Sequence, residues 1–261
     1  MGYRTLTYQQ DDAGVVTIAL SVPEKRNAIS SRMIEDWLGA LEQAEESRAR
    51  VLIVTGSGKA FCAGLDLDEL QNLARQTQQK NLEDARRVTK LFYRLYSFPR
   101  PVIAAVNGAA IAGGCGIASA ADFTIAVPGA KFGFTEVRLG FMPALVSVFL
   151  RRRIADRHLR DLLFTGKIID AAEAYRIGLI TEIVPPESLM SRAREIAGAL
   201  LAVSPSAVAE TKRLLLNFDK AAIRAELEVA IEANADIRST ADFREGITAF
   251  LEKRAPKWSR E

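Results

Sequence analysis

Short apolar segments alternate with segments of helical periodicity over the first two-thirds of the chain, and this alternation constrains its fold most strongly. Apolar runs of strand length predict four strands, at Val15–Leu20, Val51–Thr55, Val102–Val106 and Phe123–Val127. The segments between them carry apolar residues at helical spacing, which predicts helices at Ser31–Glu45, up to about Tyr96, and from about Gly116. Strands separated by helices are typical of an α/β fold with largely parallel strands.

Helices dominate the sequence from about Ala144 onward. One strand, Ile180–Val184, interrupts a series of predicted helices at Ala144–Phe164, Asp170–Ile177, Glu187–Ala202, Ala207–Asn217, Lys220–Asp236 and from about Thr240 to Lys253. We place a boundary near Ser204-Pro205. It separates a core at residues 1–203 from a helical region at residues 204–261 that packs against the core or a neighbouring subunit.

The composition excludes several classes of function. A net charge of +3 is too small to indicate nucleic-acid binding, but it suits an anionic, phosphate-bearing small molecule. Two cysteines and one histidine cannot form a disulfide framework or a Cys/His zinc site, so no metal is expected. The single histidine, His158, lies among arginines and leaves Cys62 and Cys115 without an evident base. Both cysteines are therefore interpreted as packing residues.

One segment, Val102–Ala121, has the length of a membrane span, with twenty residues and no charge. It is rich in alanine and glycine and contains Asn107, which favours a strand, a tight turn and a helix instead. The N-terminal residues lack the pattern of a signal peptide. We therefore expect no membrane association and a cytoplasmic location.

Two glycine-rich segments, Gly56–Leu67 and Asn107–Gly116, each lie where a predicted strand is followed by a helix. Neither matches a phosphate-binding loop or the dinucleotide-binding fingerprint. Because a helix begins with unpaired N–H groups, the two turns could direct donors at one oxygen and stabilise a negative charge that develops there. They could equally be tight connections without chemistry, and the residues alone leave both interpretations open.

Taken together, segments spread over nearly the whole chain resemble the crotonase superfamily, the enoyl-CoA hydratase/isomerase family. The match runs in order from about residue 14 to residue 254, and no single segment carries it alone. The segments are Pro23–Ala28, Lys59–Leu67, Pro101–Gly108, Ala112–Cys115, Lys131–Gly140, Phe164–Gly166 and Arg244–Arg254.

The resemblance implies a fold and a binding site. The expected fold is a superhelix of ββα turns with a C-terminal all-helical region that swaps against a neighbour, in a homotrimer or a dimer of trimers. The N–H groups of Leu65 and Gly113 would hold the oxyanion. Coenzyme A, as part of the substrate rather than a separate cofactor, would contact residues of its own subunit and of an adjacent one. The former are Lys25, Arg26, Ala63, Asp66 and Leu67, and the latter are Phe250 and Lys253.

The resemblance also identifies one catalytic carboxylate where hydratases of this family typically have two. Glu136 matches the second of these glutamates, and the first falls on Gly116. Glu136 could form an ordinary ion pair with Arg138 or Lys131. Its apolar surroundings favour burial instead, which would raise its pKa toward the range of a proton shuttle.

A single carboxylate leaves two reactions open, hydration of a conjugated double bond and isomerisation of an enoyl group. The stretch from Glu136 to Ser147 resembles the branch that includes bacterial methylglutaconyl-CoA hydratases, which can also lack the first glutamate, and it favours the hydratase. A different class, a non-catalytic CoA-binding or RNA-binding relative, would fit Gly116 and the basic pI. Scattered basic residues and few aromatic residues argue against RNA. The acyl pocket is expected between Leu70 and Leu82 and from Phe141 to Val148.

Overall fold

The computed structural model describes residues 2–259, which form ten strands and ten α-helices together with three short 3-10 turns. The strands are β1 Leu6–Gln10, β2 Val15–Leu20, β3 Val51–Gly56, β4 Ala60–Cys62, β5 Val102–Val106, β6 Ala109–Ile111, β7 Phe123–Ala126, β8 Lys131–Gly133, β9 Ile168–Asp170 and β10 Glu182–Ile183. The helices are α1 Ser31–Glu46, α2 Leu67–Leu73, α3 Gln78–Tyr96, α4 Gly113–Ala120, α5 Ala144–Leu150, α6 Asp156–Thr165, α7 Ala171–Arg176, α8 Leu189–Leu201, α9 Pro205–Ile237 and α10 Ala241–Leu251.

The strands form two sheets that share a repeating ββα unit. The larger sheet has the order β1-β2-β3-β5-β7-β10, and the smaller has the order β4-β6-β8-β9. Three successive pairs, β3/β4, β5/β6 and β7/β8, each contribute one strand to each sheet before the chain enters a helix or helical turn. Pairing is parallel except at the edges, where β1 runs against β2 and β9 against β8. The predicted α/β fold with a superhelical ββα core is therefore confirmed.

Apolar strands in the middle of the larger sheet explain its position in the core. Strand β5 is fully buried along its length, and so are the first five residues of β3. Helix α8 packs against both strands, and α4 also contacts β5. Helix α1 begins after Ser30, whose hydroxyl accepts a hydrogen bond from the Met33 N–H, and its buried stripe includes Trp37. Helix α4, composed of small residues, is buried at all eight positions.

The predicted long helix at Ala144–Phe164 is instead divided into α5 and α6. The arginines of the intervening turn explain the break. The guanidinium of Arg153 donates to the backbone oxygens of Ser119 and Ala121 at the end of α4, which draws the chain out of helical geometry. The helix then restarts with Asp156 in its first turn, where a negative charge is favourable.

Two further helix boundaries differ from the predictions. The separate helices predicted at Ala207–Asn217 and Lys220–Asp236 are one helix, α9, because residues 206–237 contain no glycine or proline to interrupt it. Helix α4 begins at Gly113 instead of Gly116, because the chain turns sharply at Ala112, where φ is 51°. The earlier start places the free N–H groups of α4 directly after the second glycine-rich turn.

The C-terminal helices pack against the core of their own chain. Helix α9 contacts α3 and α5, and the ammonium of Lys212 donates to Asp122 and to the Arg100 carbonyl oxygen. Helix α10 lies so close to the turn after β8 that a Cβ at Gly140 would be 2.2 Å from the Asp242 carbonyl oxygen. The division into residues 1–203 and 204–261 stays a prediction, although α9 does begin at Pro205 with Ser204 as its N-cap.

Among residues 2–259, none of the helices combines the length and the apolar composition that crossing a membrane requires. The same residues contain no group of three or more His, Cys, Asp or Glu side chains placed to hold a metal ion.

Candidate active site

The two glycine-rich turns meet at Gly64 and Gly113. Gly64 has φ +89°, and a Cβ at this position would lie 2.9 Å from the Ala112 Cβ and 3.4 Å from the Gly113 nitrogen. A Cβ at Gly113 would in turn lie 3.7 Å from the Gly64 Cα. Only glycine satisfies both the backbone angle and the close approach at position 64, so the two turns contact each other through their backbones.

Each of these turns offers a free N–H group. The two neighbours of Leu65 form backbone hydrogen bonds with Ile29. The Gly64 carbonyl oxygen accepts from the Ile29 N–H, and the Asp66 N–H donates to the Ile29 carbonyl oxygen. Within the described part of the chain, the N–H groups of Leu65 and Gly113 donate to no acceptor. Both residues line the same cavity. The arrangement supplies two adjacent donors, one of them at the positive end of a helix dipole.

Backbone strain holds the second donor in position. Ala112 adopts φ 51° and ψ −119°, a region that costs a non-glycine residue on the order of 1–3 kcal/mol. Hydrogen bonds from the Ala112 N–H to the Gly133 oxygen, and from the Gly116 N–H to the Ala112 oxygen, fix the peptide groups on both sides. The strained residue immediately precedes Gly113, which indicates that its conformation serves the orientation of the Gly113 N–H.

Glu136 lies in the 3-10 turn Thr135–Leu139 that follows β8, and its side chain faces the cavity. The residue is only 8% exposed, and its buried Oε2 atom has no hydrogen-bond partner. Burial raises the pKa of this carboxyl from 4.5 to about 7. Among the described residues, no ion pair joins Glu136 to Arg138 or Lys131, and the raised pKa agrees with the burial expected from its apolar surroundings. A carboxyl with a pKa near neutrality can both accept and return a proton at physiological pH.

Gly116 is buried in the second turn of α4 and does not line the cavity. A Cβ at this position would be 2.4 Å from Val146 Cγ1 and 3.0 Å from Phe92 Cε1. The space that a side chain at residue 116 would need is therefore filled by two apolar side chains. The other carboxylates on the cavity wall, Asp66, Asp68 and Glu24, all lie in the segments around Lys25.

Most of the residues expected to bind coenzyme A lie on the cavity wall, around the half-exposed side chain of Lys25. Lys25 Nζ is 2.8 Å from Asp66 Oδ2 and 3.1 Å from Asp68 Oδ2, and these hydrogen bonds raise the pKa of Lys25. Asp66 also caps α2 by accepting from the Asp68 N–H. Arg26, with φ 53°, accepts from the Ala63 N–H through its carbonyl oxygen. These residues and Leu67 line the wall, so the structure brings all five predicted contacts together.

The expected contacts of Phe250 and Lys253 with a coenzyme A held by an adjacent subunit stay a prediction. Phe250, half-exposed in α10, lines the cavity of its own chain, whereas it was expected to reach the cavity of a neighbour. Lys253 does not line the cavity. Helix α10 packs closely on the turn after β8 of its own chain, where a Cβ at Gly246 would lie 2.3 Å from the Leu139 backbone.

The inner wall of the cavity is apolar, and the cavity volume is about 840 Å³. Of the two stretches expected to form the acyl pocket, the first contributes only Leu70 and the second contributes Phe141 to Val146, while residues 71–82, 147 and 148 do not line the cavity. Several contributors were missed, among them Val88 and Phe92 of α3 and Asn234 of α9. The spacing of the apolar pair is that of a buried helix face, so it does not distinguish a cavity wall from the core. The signal for Asn234 was a polar residue on the apolar stripe of α9, formed by Ile223, Leu227, Ala230 and Ile231.

A buried carboxyl and two free N–H donors in one cavity define a class of site, one that can hold an oxyanion while a proton moves nearby. Residues 10–261 match the family model described as Enoyl-CoA hydratase/isomerase, and the chain belongs to that family.

Relatives of similar length support this membership. A Thermus thermophilus protein, provisionally named an enoyl-CoA hydratase, is 38% identical over 96% of this chain and 99% of its own length. The crotonyl-CoA hydratase of Syntrophomonas wolfei is 34% identical, with 97% of each chain covered. The crystal structure of an enoyl-CoA hydratase/isomerase from Xanthobacter autotrophicus superimposes with a TM-score of 0.88 at 28% identity, covering 97% of this chain and 98% of that one.

Proposed function

We propose that the protein is an enoyl-CoA hydratase that adds water across the double bond of a 2-enoyl-CoA. The observation that carries this proposal is the meeting of the free N–H groups of Leu65 and Gly113 with the buried carboxyl of Glu136 in one cavity. The names of the full-length relatives agree with this activity.

In the proposed complex the thioester oxygen accepts hydrogen bonds from Leu65 and Gly113. Negative charge develops on this oxygen as a nucleophile adds to the conjugated system, and the two donors bind it more strongly than they bind the neutral carbonyl. The coenzyme A portion extends toward Lys25 and Arg26, whose positive charges suit its phosphates. Ala63, Asp66, Leu67 and Phe250 form the surrounding wall.

Glu136 then carries the proton in both halves of the reaction. Its carboxylate takes a proton from water while the oxygen of that water bonds to C3, and the electron pair of the double bond moves to the thioester oxygen as an enolate. The enolate collapses, and C2 takes a proton from the newly protonated Glu136. The net change is addition of one water molecule, and the carboxylate is regenerated, so one carboxyl with a pKa of about 7 suffices.

Finer parts of this proposal concern the acyl group and the assembly. The resemblance of residues 136–147 to methylglutaconyl-CoA hydratases supports 3-methylglutaconyl-CoA as a substrate. We further propose a homotrimer or a dimer of trimers in the cytoplasm, in which Lys253 contacts a coenzyme A held by an adjacent subunit. Light scattering of the purified protein would measure the assembly, and a monomer would contradict it.

An enoyl-CoA isomerase is the second candidate, and the filled space at Gly116 favours it. Isomerisation needs one carboxyl to remove a proton from one carbon and return it to another, with no second group to hold water. A 3-enoyl-CoA deuterated at C2 separates the two reactions. Transfer of deuterium to C4 indicates isomerisation, whereas formation of a 3-hydroxyacyl-CoA from a 2-enoyl-CoA indicates hydration.

The experiment that tests the proposed function is turnover of crotonyl-CoA and 3-methylglutaconyl-CoA by the native chain and by Glu136→Gln. We expect a loss of at least about 100-fold in kcat for the variant, the contribution typical of a general acid–base group. Glu187→Gln, an exposed glutamate in the turn before α8, is the matched control. Unchanged turnover in Glu136→Gln would contradict the role of Glu136. Tight binding of coenzyme A or RNA without turnover would support the non-catalytic relative instead.

A further inference from the structure

Asn234 is a polar residue in the part of the cavity wall that is otherwise apolar. It lies near the end of α9, is 3% exposed, and shares the wall with Leu70, Phe92 and Phe141. The charged residues of the wall are distributed around Lys25 and along the turn that carries Glu136. A buried amide in an apolar wall costs free energy unless its hydrogen bonds are made, so its presence there calls for a partner.

The orientation of the Asn234 amide is fixed by its neighbour one turn later in the chain. Arg238 donates to Asn234 Oδ1 at 2.6 Å and to Asp84 Oδ2 at 2.9 Å. Since a guanidinium can only donate, it must face the oxygen of the amide and not the nitrogen. Within the described residues, Asn234 Nδ2 has no hydrogen-bond partner and is not a buried atom, so it is the atom that faces the cavity.

The group behind this amide is held rigidly. Arg238 is 1% exposed, and its guanidinium lies 5.8 Å from the centre of the Phe141 ring. Phe141 in turn packs against Phe243 of α10 and donates its N–H to the Glu136 oxygen at 3.1 Å. The Asn234 amide is thus connected through Arg238 and Phe141 to the turn that positions the catalytic carboxyl, and little side-chain entropy remains to be lost on binding.

The local charge behind the amide is positive. Asp84 is shared between two guanidinium groups, with Arg238 on one oxygen and Arg87 on the other at 2.7 Å. Moreover, the buried Nε of Arg238 has no partner. The next acidic residue on α9, Asp236, is exposed to solvent, where its charge is screened. An amide donor with a buried positive charge behind it favours an anionic acceptor.

We propose that Asn234 recognises a carboxylate at the far end of the acyl chain, and that the substrate is therefore an enoyl-CoA whose acyl group ends in a carboxylate. This inference rests on the proposed function, since it concerns the acyl end of the same cavity. Asn234 determines specificity, and Arg238 positions it. An acyl chain that ends in a methyl group leaves the Nδ2 donors without a partner, and sites built to hydrogen-bond a substrate group discriminate strongly against analogues that lack it.

The test compares two pairs of thioesters that differ by the carboxylate. The first pair, 3-methylglutaconyl-CoA and 3-methylcrotonyl-CoA, reports the ratio of kcat/KM. The second pair, glutaryl-CoA and butyryl-CoA, has no double bond to hydrate, so it reports the ratio of the two Kd values for binding alone. We expect the native chain to prefer the carboxylate in both pairs, and Asn234→Leu to reduce each preference by about 10- to 100-fold, as for loss of a hydrogen bond to a charged group.

A second variant and a control keep the result interpretable. Asn234→Asp keeps the volume and the acceptor for Arg238 but places an oxygen toward the ligand, so we expect it to reduce the preference at least as much. Asn217→Leu makes the same change at an exposed position of α9 and should leave both preferences unchanged. Thermal unfolding of each variant identifies loss of the fold, and if Asn234→Leu does not fold, Asn234→Asp decides.

Two results would overturn the inference. One is a native chain that binds glutaryl-CoA no better than butyryl-CoA. The other is a parallel loss for both members of each pair in the variants, which would make Asn234 a structural support for Arg238 alone. A preference for glutaryl-CoA that depends on Asn234, without hydration of any ester, would overturn the hydratase and support the role of Asn234.

Discussion

Replacement of Glu136 by glutamine is expected to change how the stability of the protein depends on pH. The pKa of Glu136 is raised to about 7 in the folded chain, from an ordinary value of 4.5. A carboxyl with a raised pKa binds protons more tightly in the folded state, so the free energy of unfolding falls as pH rises between these two values. At about 1.36 kcal/mol for each pKa unit, ionisation of Glu136 costs the native chain about 3 kcal/mol of stability by pH 8.

The glutamine variant lacks this ionisation. We therefore expect the free energy of unfolding of Glu136→Gln, relative to the native chain, to increase by about 3 kcal/mol between pH 4 and pH 8. Most of the increase should fall between pH 4.5 and pH 7. The variant would therefore be less active than the native chain but more stable at alkaline pH. Such an exchange of activity for stability is expected when a catalytic group is buried at a cost to the stability of the fold.

Urea denaturation followed by circular dichroism, at a fixed protein concentration from pH 4 to pH 8, measures the effect. The protein concentration must be fixed because subunit association would add to the apparent stability. Glu187→Gln, in which an exposed carboxyl is lost, should track the native chain at every pH. A stability difference between Glu136→Gln and the native chain that stays constant over this range would refute the reasoning, since it would mean that Glu136 is not buried in its charged form.

Three other predictions concern the same cavity. The kcat/KM for a 2-enoyl-CoA should rise with pH and level off above about pH 7, because hydration needs Glu136 ionised; a flat profile from pH 5 to pH 9 would contradict this. Gly116→Ala should lower the free energy of unfolding by about 1–3 kcal/mol through overpacking, and adding Val146→Ala should restore part of it in denaturation experiments, since the new Cβ would lie 2.4 Å from Val146 Cγ1. Lys25→Ala should raise KM by about 3- to 10-fold at low salt with little change in kcat, and an effect that persists in 1 M salt would argue against a contact with phosphate.

The sequence was sufficient for most strands of the larger sheet and insufficient for the smaller sheet. The predicted strands β2, β3, β5 and β7 are four to six residues long and largely apolar, so their pattern is detectable. The strand predicted at Ile180–Val184 is shorter, Glu182–Ile183, and the edge strand β1, with the polar sequence Leu-Thr-Tyr-Gln-Gln, was not predicted. The strands of the smaller sheet, β4, β6, β8 and β9, have three residues each, too few to show any period. Their positions follow from the tertiary contacts of each ββα unit and are not encoded in a local propensity.

The candidate site was predicted only in part, because some of its features depend on local sequence and others on tertiary contacts. The burial of Glu136 could be inferred from the apolar residues around it, because burial depends largely on local composition. The free donors at Leu65 and Gly113 could be located only through the resemblance, since an alanine at position 112 gives no sign of its positive φ. In the cluster of Asn234, Arg238 and Asp84, the Arg238–Asp84 hydrogen bond joins residues 154 positions apart, and only the folded chain brings them together.

The apolar filling around Gly116 and the polar cluster around Asn234 have a common consequence for the reaction. Because Val146 and Phe92 fill the space beside Gly116, a second carboxyl cannot be placed there to orient a water molecule with Glu136. The water must then be positioned by Glu136 and by the substrate itself. A substrate fixed at both ends, by the donors at Leu65 and Gly113 and by the Asn234 amide, would hold its C3 rigidly against Glu136, and such positioning can contribute as much to a rate as a second catalytic group. In that case, removing the carboxylate from the acyl group should lower kcat for hydration as well as raise KM. Isomerisation of a short acyl chain by Glu136 should not depend on such a carboxylate.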